Sequence, residues 1–317
     1  MDTGIDLIPF KDFYINCEVN NRLSVIASFE SSFKALAYMN YYKYFMDNVS
    51  LNNKDADFLM IQTDSEFDDT LHSNLDFVEY KFQDKNNFVN EICNYTLNGG
   101  IMLTGVDLYN WIPGSLLWQK HHVGHYSLIT GYDKDKSVFI CFDDDETGYN
   151  KHEIPVERFT TAFLNSGLSP SCYIVNVPKN IKPFFMEKNK ILLNAAQIID
   201  SIKDIKVDSL WEVDANYENY LSFIDFFIGS ITRISNRQKG NLLLFKQMEN
   251  ANLMEESLYC ELSGTAAKLL EGWQNIKNIF IKRSLSNKRN LNMDKLHSIA
   301  EDLLLMEKGM WNRLIND

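Results

Sequence analysis

No run of apolar residues in this chain approaches the ~20 that a membrane-spanning helix needs. The opening Met1-Asp2-Thr3-Gly4 lacks the basic-then-apolar pattern of a signal peptide, so the expectation is a soluble, cytoplasmic protein. Cysteine is scarce: five residues, an odd number, none in a CxxC pair. That argues against a disulfide framework and against a paired-cysteine zinc site. Basic residues are outnumbered, 31 Lys and Arg against 43 Asp and Glu, for a net charge of −12. Nucleic acid, whose phosphates need Lys and Arg, is therefore not an expected partner, and neither is an anionic membrane. Internal repeats and low-complexity tracts are also missing.

What is present is a chain able to bury a core. It is 45% hydrophobic and 13% aromatic, and 317 residues suggest one large or two medium domains. Apolar spacing predicts a helix over 18–46, beginning directly after Asn16-Cys17. Short strands are expected at 57–62 and 75–82 around a polar loop, and a helix at 84–97 with its stop at Asn98-Gly99-Gly100. A buried strand follows at 101–106. The clearest strands are Tyr126–Tyr132 and Ser137–Phe142, a hairpin around the polar turn Asp133-Lys134-Asp135-Lys136. A short helix at 156–165 and a last strand at 172–177 complete this half, and Pro178 and Pro183 bracket a linker. Beyond Pro183 the periodicity is helical over 184–203, 215–235, 240–252, 255–283 and 292–314. This predicts an all-α second domain, in which Tyr217, Tyr220, Phe223, Phe226 and Phe227 are core.

One set of residues carries chemistry. A nucleophilic thiol works as a thiolate, and a helix N-terminus favours that charge. Cys17 sits where the first helix begins. Its activating partner is normally a histidine, itself oriented by a carboxylate or amide. His125 opens the best strand, and Asp143 ends the paired strand eighteen residues later, so a hairpin brings them together. Each has a plainer reading: a packed cysteine, a solvated histidine, an acidic turn (Asp143-Asp144-Asp145-Glu146). Order and topology favour the combination, with Asp144 as the alternative third member. Cys93, Cys141 and Cys172 lie in apolar runs and read as core. His121, His122 and His125 form a His-rich loop whose spacing is a poor metal set, so no metal is expected. Asp107, Tyr109 and Trp111 read either as a substrate-facing wall, with Asp107 holding a cationic acceptor, or as a structural turn with Asp107 satisfied by backbone N–H groups. Trp118 reads as packing. Lys277, Lys282, Arg283, Lys288 and Arg289 read as a solvated loop, or less readily as a docking patch.

The run from His125 to Asp133 (His-Tyr-Ser-Leu-Ile-Thr-Gly-Tyr-Asp) resembles the histidine strand of the bacteriocin-processing cysteine peptidases. More closely, Ile15-Asn16-Cys17, Gly105 to Trp111, Lys120 to His125 and Phe139 to Asp143 resemble the N-terminal domain of the butirosin-biosynthesis H protein family. The resemblance spans about residues 9–178. It implies an α+β, papain-like catalytic domain over 1–180, followed by a helical domain over 181–317. It also implies an acyltransferase of specialised-metabolite assembly. Such an enzyme takes an acyl group from the phosphopantetheine thioester of an acyl or peptidyl carrier protein. It passes the group, by way of Cys17, to a small-molecule or peptide amine. No bound cofactor is implied. The catalytic set would be Cys17, His125 and Asp143, with Asn16, Asp107, Tyr109 and Trp111 near the substrate. The chain departs from the peptidase pattern at Lys11, where a Gln would serve the oxyanion hole. The Cys17 N–H remains available there, with Asn16 or the 107–111 loop as a second donor. A cysteine peptidase or amide hydrolase, a release or cyclising enzyme, and a non-catalytic binding module are the alternatives.

Overall fold

Asn16 sets the first element. Its Oδ1 accepts the Val19 N–H at 2.8 Å, satisfying one of the donors that a helix start leaves open, and α1 runs over Cys17–Phe29. The computed structural model describes all residues except 1–4, 6, 52, 53, 64, 85, 146, 147, 169–171, 214–216 and 286–290. In chain order there follow α2 (Lys34–Tyr38), β1 (Tyr42–Leu51), β2 (Lys54–Thr63), α3 (Ser65–His72), β3 (Asp76–Glu79) and α4 (Phe88–Leu97). Then come β4 (Met102–Asp107), β5 (Gly124–Asp133), β6 (Val138–Asp145), β7 (Gly148–Pro155), α5 (Val156–Leu164) and β8 (Cys172–Asn176). Four helices close the chain: α6 (Lys188–Lys203), α7 (Tyr217–Asn250), α8 (Glu256–Ser284) and α9 (Met293–Ile315). The protein is thus mixed helix and strand, with a helical C-terminal region. Among the described residues no helix is long and apolar enough to cross a membrane.

The chain forms two compact units, and each is discontinuous. One combines residues up to 34 with 66–184; the other combines 35–65 with 185–317. The division expected at 180 therefore needs correcting for 35–65. The reason is packing. The β1–β2 hairpin buries Phe58 against Phe223 and Phe227 of α7, with ring centroids 6.4 and 5.0 Å apart. It also buries the Tyr42 and Tyr44 hydroxyls on the carboxylate of Glu307 in α9. The single helix expected over 18–46 is likewise broken. Its C-terminal cap is the extended Glu30, Asn40 turns at a φ of 51°, and from Tyr42 the chain is a strand. Asn40 is held there by the Arg237 carbonyl at 2.8 Å and by Asn241 Oδ1 at 2.6 Å. Conversely, two helices expected at 215–235 and 240–252 are one, because α7 continues through Gly240. A Cβ at that position would meet the Asn40 side chain at 2.6 Å.

In the first unit six antiparallel strands form one sheet in the order β3-β8-β4-β5-β6-β7. The core on this sheet joins Phe88 and Ile92 of α4 and Phe159 and Phe163 of α5 to Met102, Val106, Ile129, Phe139 and Cys141. Phe88 stacks on Phe163 at 4.8 Å, and Phe159 meets Phe139 at 4.5 Å. Each such ring contributes about 1.5–3 kcal/mol by leaving water. β7 was not legible in the sequence: its Asn150, Lys151, His152 and Glu153 are polar because it is the edge of the sheet. Within the β5–β6 hairpin the register shifts between Ile129 and Gly131, leaving Thr130 as an extra residue. The Thr130 carbonyl accepts the Ile5 N–H at 3.2 Å.

Candidate active site

The segment before Cys17 is stapled to the second turn of α1. Buried Asn20 accepts the Ile15 N–H at 2.8 Å on Oδ1 and donates from Nδ2 to the Phe13 carbonyl at 3.2 Å. Ser24 Oγ accepts the Phe10 N–H at 2.9 Å. These bonds fix where Cys17 enters the helix. A second set ties α1 to the sheet: Asn21 Nδ2 donates to the Tyr126 carbonyl at 2.9 Å, and its Oδ1 accepts the Tyr149 hydroxyl. Cys17 is thereby held against the start of β5.

His125 stands in β5 opposite Val106 of β4. Its Nε2 meets Asp143 Oδ1 at 2.8 Å, and the ring interacts electrostatically with the Cys17 thiol. With Nε2 occupied by the carboxylate, Nδ1 is the nitrogen that serves the sulfur. Asp143 is buried. Its Oδ2 accepts the Trp111 Nε1–H at 2.7 Å, and its Oδ1 accepts the Asp144 N–H at 2.7 Å. The structure therefore brings together the three residues expected at the site, in the order thiol, imidazole, carboxylate.

The charges follow. Burial alone raises the Cys17 thiol, but the His125 charge and hydrogen bond, with a bond from the Tyr126 backbone, outweigh it and hold the pKa below the ordinary value. Burial likewise opposes the charged form of His125, yet Asp143 and the Cys17 thiolate hold its pKa well above the usual range. Asp143 is buried too, and His125, the Asp144 N–H and the Ser127 hydroxyl hold its carboxyl below the usual range. The other buried thiols behave oppositely. Burial pushes Cys93 up to about 11 and drives Cys141 well above its ordinary value. Asp144 is raised to about 7 by burial and by the neighbouring Asp143 charge, and the pair to the imidazole is made by Asp143. A thiolate–imidazolium pair at a helix N-terminus is what a nucleophilic sulfur requires.

No family model matches this chain, and no curated protein matches it.

The remaining expected residues fall into place as follows. Trp111 is fully buried, so it is not a substrate wall; it packs against Phe159 and orients Asp143. Asp107 is also fully buried and does not face a cationic acceptor. It accepts the Tyr109 N–H at 3.2 Å, Asn110 Nδ2 at 2.9 Å and His122 Nδ1 at 2.8 Å. Tyr109 lies flat on the His122 ring, with centroids 4.2 Å apart and planes 14° apart. Asn16 caps α1 with its Oδ1. Exposed Lys11 donates to Asn150 Oδ1 at 3.1 Å. Trp118 carries the Arg158 guanidinium 5.4 Å above its ring. Of the basic cluster, Arg283 is buried, and Lys288 and Arg289 lie outside the described residues, as does Glu146. Phe223 and Phe227 are core as expected, while the side chains of Tyr217 and Tyr220 lie outside the described residues. Sequence reasoning missed Asn20, Asn21 and Ser127. A signal existed for the first two, since adjacent asparagines are disfavoured inside a helix unless their side chains have work elsewhere.

Proposed function

We propose that the protein is a thiol-dependent acyltransferase, papain-like in its first unit and acting in the cytoplasm. The observation that carries this reading is the His125–Asp143 hydrogen bond, with its imidazole coupled by charge to Cys17 at the N-terminus of α1. The thiolate attacks the carbonyl carbon of a carrier-bound phosphopantetheine thioester. The new C–S bond to Cys17 forms as the old one breaks, and the departing thiolate takes its proton from His125. The acyl group then passes to an amine, and Cys17 leaves as the thiolate. Thioester exchange is nearly isoenergetic and amide formation runs downhill, so no further energy source is needed.

The likeness of the 9–178 segment to the butirosin-biosynthesis H family supports an acyl or peptidyl carrier protein as donor and a small-molecule or peptide amine as acceptor. Engagement of Lys11 with Asn150 supports transfer over peptide hydrolysis, because the peptidase pattern would place a side-chain oxyanion donor there. Intact-mass measurement after incubation with acyl-carrier thioesters tests the reading. The expected result is one acyl adduct, absent in Cys17→Ser. A panel of thioester donors that leaves the mass unchanged overturns it.

A further inference from the structure

Away from the Cys17 line, the segment that leads into β4 borders a cleft of about 480 Å³. Two tyrosines make its wall: Tyr80 and Tyr95 meet at 48°, with ring centroids 6.2 Å apart. Tyr95 is laid against bare backbone, since a Cβ on Gly100 would meet its ring at 2.2 Å. Glu91, also in the lining, is fixed by three donors. They are the Tyr80 hydroxyl at 3.0 Å, the Gln83 N–H at 3.1 Å and the Asp84 N–H at 3.0 Å. The other polar side chains of the lining are neutral amides, Gln83, Asn94 and Asn98. Asn98 Nδ2 donates to the Asn94 carbonyl at 2.7 Å. The Gln83 and Asn94 amides and the Tyr95 hydroxyl have no partner among the described residues. Gly100 stands just before β4, and the far end of β4 pairs Val106 with His125. At the rise of a strand the run from Gly100 to Val106 spans about 20 Å, so this cleft is a separate place from the thiol site.

The lining selects its ligand by exclusion. Among the described residues it holds no Lys or Arg, so a phosphate or carboxylate finds no counter-charge there and meets the Glu91 anion. Both Glu91 oxygens already accept protein donors, so an ammonium ion finds the carboxylate engaged. A wholly apolar ligand would strip water from the amides and leave them unpaired. What fits is a molecule with an apolar face for the rings and hydroxyls along its edge. A pyranose has both. Its axial C–H groups turn a positive face to the negative face of an aromatic ring, and its hydroxyls donate and accept as a side-chain amide does. We infer that this cleft binds a neutral saccharide, whose sugar ring lies against the Tyr80–Tyr95 wall and whose hydroxyls bond Gln83, Asn94 and the Tyr95 hydroxyl. The inference does not depend on acyl transfer at Cys17.

Saturation-transfer NMR on the full chain tests it, with methyl glucoside, methyl galactoside, N-acetylglucosamine, maltose and cellobiose as probes. The expected result is binding of at least one, with a Kd of about 0.1–10 mM, and with transfer strongest to the C–H protons of one sugar face. Gln83→Ala and Asn94→Ala should each weaken that binding about 10-fold, and Tyr95→Ala should abolish it. Gln83 and Asn94 are exposed, so the fold does not rest on their side chains, and circular dichroism checks each variant. Absence of transfer to all five saccharides at about 20 mM overturns the inference. So does binding that survives both amide substitutions, or saturable binding of inorganic phosphate or butylammonium in place of a sugar.

Discussion

At the residue scale the chemistry is decided by which thiol can carry charge. Five cysteines are present, and Cys17 is the one held below its ordinary pKa by an imidazole that burial and Asp143 keep in place. The signs define a window. The thiolate is lost as pH falls through the lowered Cys17 value, and the imidazolium is lost as pH rises through the raised His125 value. An unperturbed cysteine becomes a thiolate only near pH ~8.5. Iodoacetamide at pH 6–7 is therefore expected to label Cys17 faster than exposed Cys260, and His125→Ala, which removes the imidazole charge that opposes burial, to abolish the preference. Peptide mass mapping of the labelled sites reads the ratio. Cys17, His125 and Asp143 were legible in the sequence because helix start, strand start and paired strand end are local signals. Trp111 stood between two readings because an indole after a buried strand looks alike whether it faces a ligand or a carboxylate; only the tertiary contact to Asp143 distinguishes them.

At the element scale, α1 is both scaffold and electrostatic device. Its first turn presents N–H groups toward Cys17, and Asn16 fixes where that turn begins. Asn16→Ala should cost about 1 kcal/mol of stability in denaturant titration. It should also slow labelling of Cys17 at pH 6–7, since the helix start frays around the sulfur. Strands with continuous apolar runs, such as β4 and β6, were readable from sequence. The polar edge strand β7 was not, since alternation is visible only where one face is buried. The single length of α7 was hidden for a related reason: Gly240 reads as a break by propensity, yet it serves as a site of close approach for Asn40.

At the scale of the whole molecule, sequence order and packing part company. The hairpin of 42–63 lies between segments of the first unit but supplies a layer of the second. No local pattern announces this; what decides it is that Phe58 and the tyrosine pair find their partners on α7 and α9. Phe58→Ala should therefore destabilise the unit of 35–65 and 185–317 by about 3–5 kcal/mol. Trp211, Trp273 and Trp311, all fully buried there, report its unfolding by fluorescence. The transition of that unit should move to lower denaturant while labelling of Cys17 in native buffer is unchanged; an unmoved transition would refute the packing argument.

Thr130 shows how little separates a sheet that joins His125 to Asp143 from one that parts them. From Asp133↔Val138 to Gly131↔Ile140 the hairpin follows one ladder; from Ile129↔Cys141 to Leu128↔Phe142 it follows another, displaced by a single position. Strand side chains alternate, so on the second ladder Asp143 falls on the same side as Ser127 and His125. Continue the first ladder without interruption and Asp143 would line up with Leu128 instead, on the reverse of the sheet from the imidazole. A hairpin that paired Thr130 with Cys141 in place of the bulge would keep every hydrophobic run and every turn residue, and still turn the carboxylate away from the ring.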